Sequence, residues 1–224
     1  MSLLARRAMF GKAGRLPGMY QEVEYLAADE NQYIDTGYAV QNPEHKYEIK
    51  YLKNKLSTHA YGVDFYGNAT RHMMGQVYSN NFYIGNGTGG PSITTPECVQ
   101  KAGTIYEGSV TVTGTTWDTQ KAVLELNGGS QEFFQKSTSR FFSGCPADVT
   151  AFLFAVRQAG NEPRFLMNGR IYYLRMYDNT GLKVRDFIPC YRKSDRKPGM
   201  YDLVEGKFYT NIGTGEFTMG PEIK

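Results

Sequence analysis

The chain has 224 residues, with 25 Lys+Arg against 22 Asp+Glu, a formal charge of +3 and a mean hydropathy of −0.47. A chain of this length can bury roughly 70% of the surface its unfolded form exposes, so a core needs neither disulfides nor metal, and all-β chains of ~200–250 residues often form one domain. The near-neutral balance argues against a nucleic-acid binder, and no apolar run approaches the ~18 residues that a membrane helix needs.

The chain opens on MSLLARRAMFGKAGRLPG (1–18), which carries Arg6, Arg7, Lys12 and Arg15 and no acid. Removing those four charges leaves the remaining body at −1. Ser2 is placed to cap one or two helical turns across 3–10, ended by Gly11 or Gly14, and Pro17-Gly18 marks a boundary. Two readings stand for this basic arm: a solvated tail, or a docking segment that orders on a partner through its four cations. Arg6 and Arg7 interrupt the apolar start, so a secretory segment is not expected, and synthesis in a reducing cytoplasm is. Cys98, Cys145 and Cys190 are odd in number and widely spaced, which points to buried, inert thiols.

From residue 19 the pattern becomes one of short strands. Val23, Tyr25 and Leu26 precede a strand around 33–37. Tyr47, Ile49 and Tyr51 then alternate with Glu48 and Lys50, the period of a half-buried strand. Further strands are expected at 60–65, 72–78 and 81–84, the last two joined by a tight turn at Ser79-Asn80, and then at 106–113 and 122–126. The last group is 149–154, 171–177, 184–188, 200–204 and 208–209. Turn signals separate them at Asn127-Gly128-Gly129, Asp178-Asn179-Thr180-Gly181 and Glu205-Gly206. With no amphipathic helix after the arm and no repeat of fixed period, the pattern predicts an all-β, two-sheet antiparallel jelly-roll sandwich over 19–224. The polar stretch 85–104 reads as the main irregular segment.

Catalytic signatures are weak. There is no G-x-S-x-G elbow, and Gly11-Lys12-Ala13-Gly14-Arg15 lacks the order of a phosphate loop. His45, His59 and His72 show no metal-ligand spacing and read as surface or edge residues. Calcium would need converging oxygens; Asp178-Asn179, with Asp148 and Asp186, is the nearest set, and a β-turn explains it more simply. Paired carboxylates for glycoside hydrolysis reduce to Glu22/Glu24 and the surroundings of Glu125, so the expectation is no enzyme, no cofactor and no metal. What remains is a surface chemistry suited to sugars: aromatic faces stack on pyranose rings and amides bond to hydroxyls. Trp117, Tyr83, Asn81 and Asn86 are the candidate glycan contacts, in a face built from loops 66–70, 79–90 and 114–118. The alternative for each is that the aromatics fill the core and the amides form turns.

The opening LPGMYQEVEYLAADENQYIDTGY (16–38) and the closing GRIYYLRMYDNTGLKVRDFIPCYRKSDRKPGMYDLVEGKFYTNIGTGEF (169–217) resemble the paired terminal elements of laminin-G-like, concanavalin-A-like lectin modules, which are widespread in phages and prophages of gut bacteria. The resemblance spans roughly residues 16–220, with Ala27-Ala28-Asp29-Glu30-Asn31 departing from the family's Ser/Thr/Gly-rich turn. It implies a β-sandwich of the lectin/glucanase type, usually non-catalytic; the matched motifs are structural and transfer no ligand residue. Because sandwich termini often meet at one edge, segment 33–35 is expected beside 208–218.

The layout of one sandwich behind a basic arm then reads as a bacteriophage virion structural protein: a capsid-decoration, head-fibre or tail-associated subunit. Its expected location is the virion. Other virion proteins would be its partners through the arm, in many copies or as a homo-oligomer, with weak adhesion to bacterial or mucosal glycans multiplied by avidity. Neither nucleic acid nor membrane is expected as a partner. The alternative is a glycan-active enzyme of the same sandwich class.

Overall fold

A computed structural model of the chain describes residues 15–65, 70–75, 82–83, 92–93, 100–116, 118–134, 144–158 and 162–224, and every regular element among them is a β-strand. The first strands are β1 (Tyr20–Glu22), β2 (Leu26–Asp29), β3 (Ile34–Asp35), β4 (His45–Lys53), β5 (His59–Phe65), β6 (Thr70–Gly75), β7 (Phe82–Tyr83) and β8 (Ser92–Ile93). The middle of the chain adds β9 (Ile105–Thr113), β10 (Lys121–Leu126), β11 (Gly129–Phe134), β12 (Phe152–Leu153), β13 (Val156–Gln158) and β14 (Glu162–Arg164). The last five are β15 (Asn168–Tyr177), β16 (Lys183–Arg192), β17 (Pro198–Asp202), β18 (Lys207–Thr210) and β19 (Thr218–Met219).

The large sheet runs β11-β10-β9-β4-β15-β16-β17-β18, with β1 on β16, β2 on β15 and β19 on β2. The second sheet runs β14-β13-β5-β12-β3, with β6 on β5. Pairing is antiparallel throughout except between β13 and β5. The fold is the expected jelly-roll sandwich. Along β4, His45, Tyr47, Ile49, Tyr51 and Lys53 are buried on alternate positions, with Lys46, Glu48 and Lys50 half-buried between the first four and Leu52 also buried, so one face of the strand looks inward. Tyr47 meets Tyr61 of β5 at 5.2 Å between ring centres, and the Tyr61 hydroxyl lies 4.0 Å from the Met176 sulfur of β15. These rings close the space between the sheets, with Val110, Leu124, Leu174 and Phe187 in the same core. Each buried aromatic removes about 150–250 Å² from water, the largest single contributions to such a core.

The two ends of the sandwich zip together. β19 pairs with β2, Gly220 and Ile223 donate to the Tyr25 and Glu22 carbonyls, and Glu24 donates back to Pro221. Ile212 and Thr214 donate to the Tyr33 and Asn31 carbonyls at 3.0 Å, which sets the closing segment beside 33–35 as expected of sandwich termini.

Several local expectations are corrected. The segment 85–104 holds β8, which pairs with β7; the expected turn at Ser79-Asn80 lies outside the described residues. The turn after β10 takes only Asn127 and Gly128, both at positive φ (47° and 86°), and Gly129 already pairs with Leu126 to begin β11. That is the two-residue hairpin whose twist matches its strands. Strand 149–154 shrinks to β12, because Phe154 sits at φ 63° and turns the chain toward β13. β16 runs past Ile188 through Pro189 to Arg192. The proline falls between Phe187, where pairing with β15 stops, and Cys190, where pairing with β1 starts, so on that side no ladder donor is missing. His45 is buried rather than at the surface, bonded through Nδ1 to the Pro43 carbonyl at 2.9 Å, and burial brings its imidazole down to about 4. The His59 and His72 side chains lie outside the described residues.

A second, smaller apolar cluster lies on the outer side of the large sheet. Ile188 and Cys190 of β16 and Tyr201 of β17 are covered there by Leu16, with Tyr20 and Phe208 alongside. Pro17 accepts a hydrogen bond from Tyr20 that holds this lead-in. Cys145 and Cys190 are free and buried, and burial pushes both thiols up to about 12. Cys98 lies outside the described residues.

Candidate functional site

The alternation that sends Tyr47, Ile49 and Tyr51 inward sends Lys46, Glu48 and Lys50 to the outer face of the large sheet. Register then fixes their neighbours. Glu125 of β10 stands opposite both Ser130 of β11 and Ser109 of β9, Ser109 opposite Glu48, Glu48 opposite Arg175 of β15, and Arg175 opposite Asp186 of β16. One polar row therefore crosses five strand junctions. Its small members, Ser109 and Ser130 with Gly108, Gly128 and Gly129, leave a shallow depression of about 460 Å³, rimmed by Lys46, Glu48, Glu107, Glu125, Tyr173 and Arg175. Gly108 is required for more than space: a Cβ there would collide with the Glu125 carbonyl of the adjoining strand.

The side chains around this depression are tied to one another. Ser109 Oγ donates to Glu125 Oε2 at 2.7 Å, and the Tyr173 hydroxyl donates to Glu107 Oε1 at 2.9 Å. Lys50 pairs with Glu107 at 3.4 Å and Lys46 with Glu48 at 2.9 Å. Arg175 bridges Glu48 and Asp186, each at 3.5 Å, and Lys183 holds the other Asp186 oxygen at 2.7 Å. Burial alone would raise the Glu48 carboxyl, but hydrogen bonds from Lys46 and Tyr177, and then Arg175, bring it below its ordinary value. Burial, and then the bond to Glu107, push the Tyr173 phenol well above its ordinary value.

A break in register between Ile171 and Tyr173 inserts an extra residue, so Tyr172 and Tyr173 are both half-buried on the outer side. Lys50 Nζ lies 5.5 Å from the Tyr172 ring, Tyr25 meets Tyr172 edge-on at 5.5 Å, and Arg175 lies 4.4 Å from the Tyr173 ring. An aromatic shelf thus continues the depression along β15.

The residues singled out by sequence are distributed differently. Trp117, Asn81 and Asn86 lie outside the described residues, as do Arg6, Arg7 and Lys12; Tyr83 is placed by its backbone in β7. Arg15 is described and pairs with Glu22 within the chain. The Glu22 carboxylate is taken by Arg15, while Glu24 is exposed and its backbone amide donates to the Pro221 carbonyl in the terminal ladder. Asp178 Oδ1 accepts from the Thr180 amide and hydroxyl and the Leu182 amide, which is the turn chemistry expected of it. The Thr180 hydroxyl, first among these, lowers its carboxyl. Asp186 is held by Lys183 and Arg175, and Asp148 is exposed. Among the described residues no group of three or more His, Cys, Asp or Glu is placed to hold a metal ion. Among the described residues, Glu125 is the earlier candidate that lines the depression. Glu48, Glu107, Ser109, Tyr173 and Arg175 carried one readable signal, their place on the polar phase of alternating strands.

No protein-family model and no curated protein matches the chain. Solved structures do match its fold. The CBM40 module of the Ruminococcus gnavus IT-sialidase superposes with a TM-score of 0.50 at 14% identity, covering 70% of this chain and 90% of that one. A Bacteroides ovatus protein described as carbohydrate-binding gives 0.58 at 11% identity, over 91% of this chain and 62% of the other. A heptameric SAP-like pentraxin from Limulus polyphemus gives 0.53 at 10% identity, over 91% and 95%. At such identities the likeness is one of fold, a lectin-like jelly-roll sandwich.

Proposed function

We propose that this protein is a non-catalytic glycan-binding module that holds its ligand across the outer face of the large sheet. The observation that carries this is the depression around Ser109 and Glu125, where acceptor carboxylates, hydroxyls and the Tyr172–Tyr173 shelf converge on an open surface. Sugars are recognised by that combination: aromatic faces for the ring, directional polar groups for the hydroxyls. The neighbours named as a carbohydrate-binding module and a carbohydrate-binding protein support the same reading. Against the effect of burial, hydrogen bonds from Lys46 and Tyr177, and then Arg175, favour the ionised form of Glu48, which supports a reading in which Glu48 is not the protonated acid of a hydrolytic carboxyl pair. Binding by the full chain to a panel of soluble oligosaccharides, without release of new reducing ends, is the expected result. Tyr173→Ala combined with Glu125→Gln should abolish the binding; failure of the unaltered chain to bind any glycan would refute the proposal.

The finer reading is a virion structural protein, a decoration, fibre or tail-associated subunit made in the bacterial cytoplasm and displayed in many copies. The similarity of its terminal motifs to phage lectin modules and the cationic segment 1–14 ahead of the seated Leu16 support it. Deleting residues 1–14 should release the protein from particles while leaving the sandwich folded. Co-sedimentation of the truncated chain with particles would overturn the docking role.

A further inference from the structure

The state of the charges at the proposed site selects among glycans. Carboxylates accept hydrogen bonds and donate none when ionised, so a ligand meeting them must bring donors. The described residues lining the depression include three carboxylates, Glu48, Glu107 and Glu125, and two cations, Lys46 and Arg175, which leaves the surface at −1. Both cations are committed: Lys46 to Glu48, and Arg175 to Glu48 and Asp186. The neighbouring Lys50 is committed to Glu107. Glu125 differs, because it is exposed and its partner among the described residues is the Ser109 hydroxyl. A sugar carboxylate or sulfate would face acceptor-only groups and find its matching cations already paired. A pyranose hydroxyl would find in Glu125 a charged acceptor, the stronger kind of hydrogen bond, whereas both Glu107 oxygens already meet Tyr173 and Lys50.

Resting on the glycan-binding reading, we infer that the ligand is an uncharged oligosaccharide whose hydroxyls donate to Glu125, and that sialylated, uronic and sulfated glycans are rejected. This divides the chain from what the name of its sialidase-derived neighbour evokes, since a shared fold carries no specificity.

The test is calorimetric titration of the full chain with two sets of probes. The uncharged set is cellohexaose, xylohexaose, mannohexaose and chitohexaose; the anionic set is 3′-sialyllactose, trigalacturonate and a heparin hexasaccharide. At least one uncharged probe should bind, and every anionic probe should bind at least tenfold more weakly. Glu125→Gln, which keeps the shape but removes the charged acceptor, should weaken the uncharged ligand about tenfold with no change in melting temperature. An anionic probe that binds as tightly as the best uncharged one, and is lost in Tyr173→Ala, would overturn this inference while leaving the glycan site standing. Binding of any probe that survives Tyr173→Ala and Glu125→Gln together, or no binding by either set, would overturn both.

Discussion

Replacing Lys53 with Met should stabilise the protein at and below neutral pH. Lys53 ends β4 on its inward phase and is 1% exposed. Its ammonium donates to the Thr58 carbonyl at 3.1 Å and lies 5.9 Å from the Tyr51 ring centre; among the described residues no carboxylate pairs with it. Burial pushes this ammonium from 10.5 down to about 7. At ~1.36 kcal/mol for each tenfold change in proton affinity, carrying the charge in the fold costs at most about 5 kcal/mol. The unfolded chain keeps its proton up to about pH 10.5, whereas the folded one releases it near 7, so stability rises with pH across that window and is lowest below it. Methionine fills a similar space without charge and forfeits one hydrogen bond, worth about 1 kcal/mol. The net gain should be about 2–4 kcal/mol at pH 6, fading toward zero near pH 9.5. Urea denaturation of both proteins at several pH values measures it. An unaltered chain whose stability stays flat from pH 6 to 9.5, or a Lys53→Met variant less stable at pH 6, would refute the reasoning.

Other expectations concern separate parts of the molecule. With His45 held at about 4 against 6.5 in the unfolded chain, stability should fall by up to about 3 kcal/mol as pH drops through that interval. His45→Phe should flatten that dependence in melting temperatures recorded from pH 4 to 7. Leu16→Ala should cost about 2–3 kcal/mol and speed alkylation of Cys190 beneath it, read by mass spectrometry; unchanged labelling would show that Leu16 does not cover the thiol. Gly108→Val should destabilise by about 1–3 kcal/mol, because its side chain meets the Glu125 carbonyl; a neutral result in chemical denaturation would contradict the close approach of β9 and β10.

The parts of the fold that could be read from sequence are those where one local rule dominates. The alternation at 47–51 marked β4 and its inward face, and Asn127-Gly128 marked a hairpin. β11 escaped because Gly129, Ser130, Gln131 and Glu132 present no apolar alternation, and β14 because Pro163 interrupts three residues with no periodic signal. Past Pro189, β16 continues because its neighbours change hands there, a tertiary arrangement that no local window contains. Leu16 looked like part of a tail, since only the folded sheet offers the apolar patch that receives it. The candidate site is illegible for a related reason. Glu48 and Arg175 are 127 positions apart and become neighbours only through the order β10-β9-β4-β15, which strand patterns do not specify. Composition could say that acids, hydroxyls and aromatics were available, but not which sheet face would gather them.

The most direct measurement is to map the backbone amides perturbed by a bound oligosaccharide in heteronuclear NMR spectra of the full chain. The largest shifts should fall on β4, β9, β10 and β15 around Glu48, Ser109, Glu125 and Tyr173. Shifts confined instead to loops 66–70, 79–90 and 114–118 would contradict the placement of the site on the large sheet.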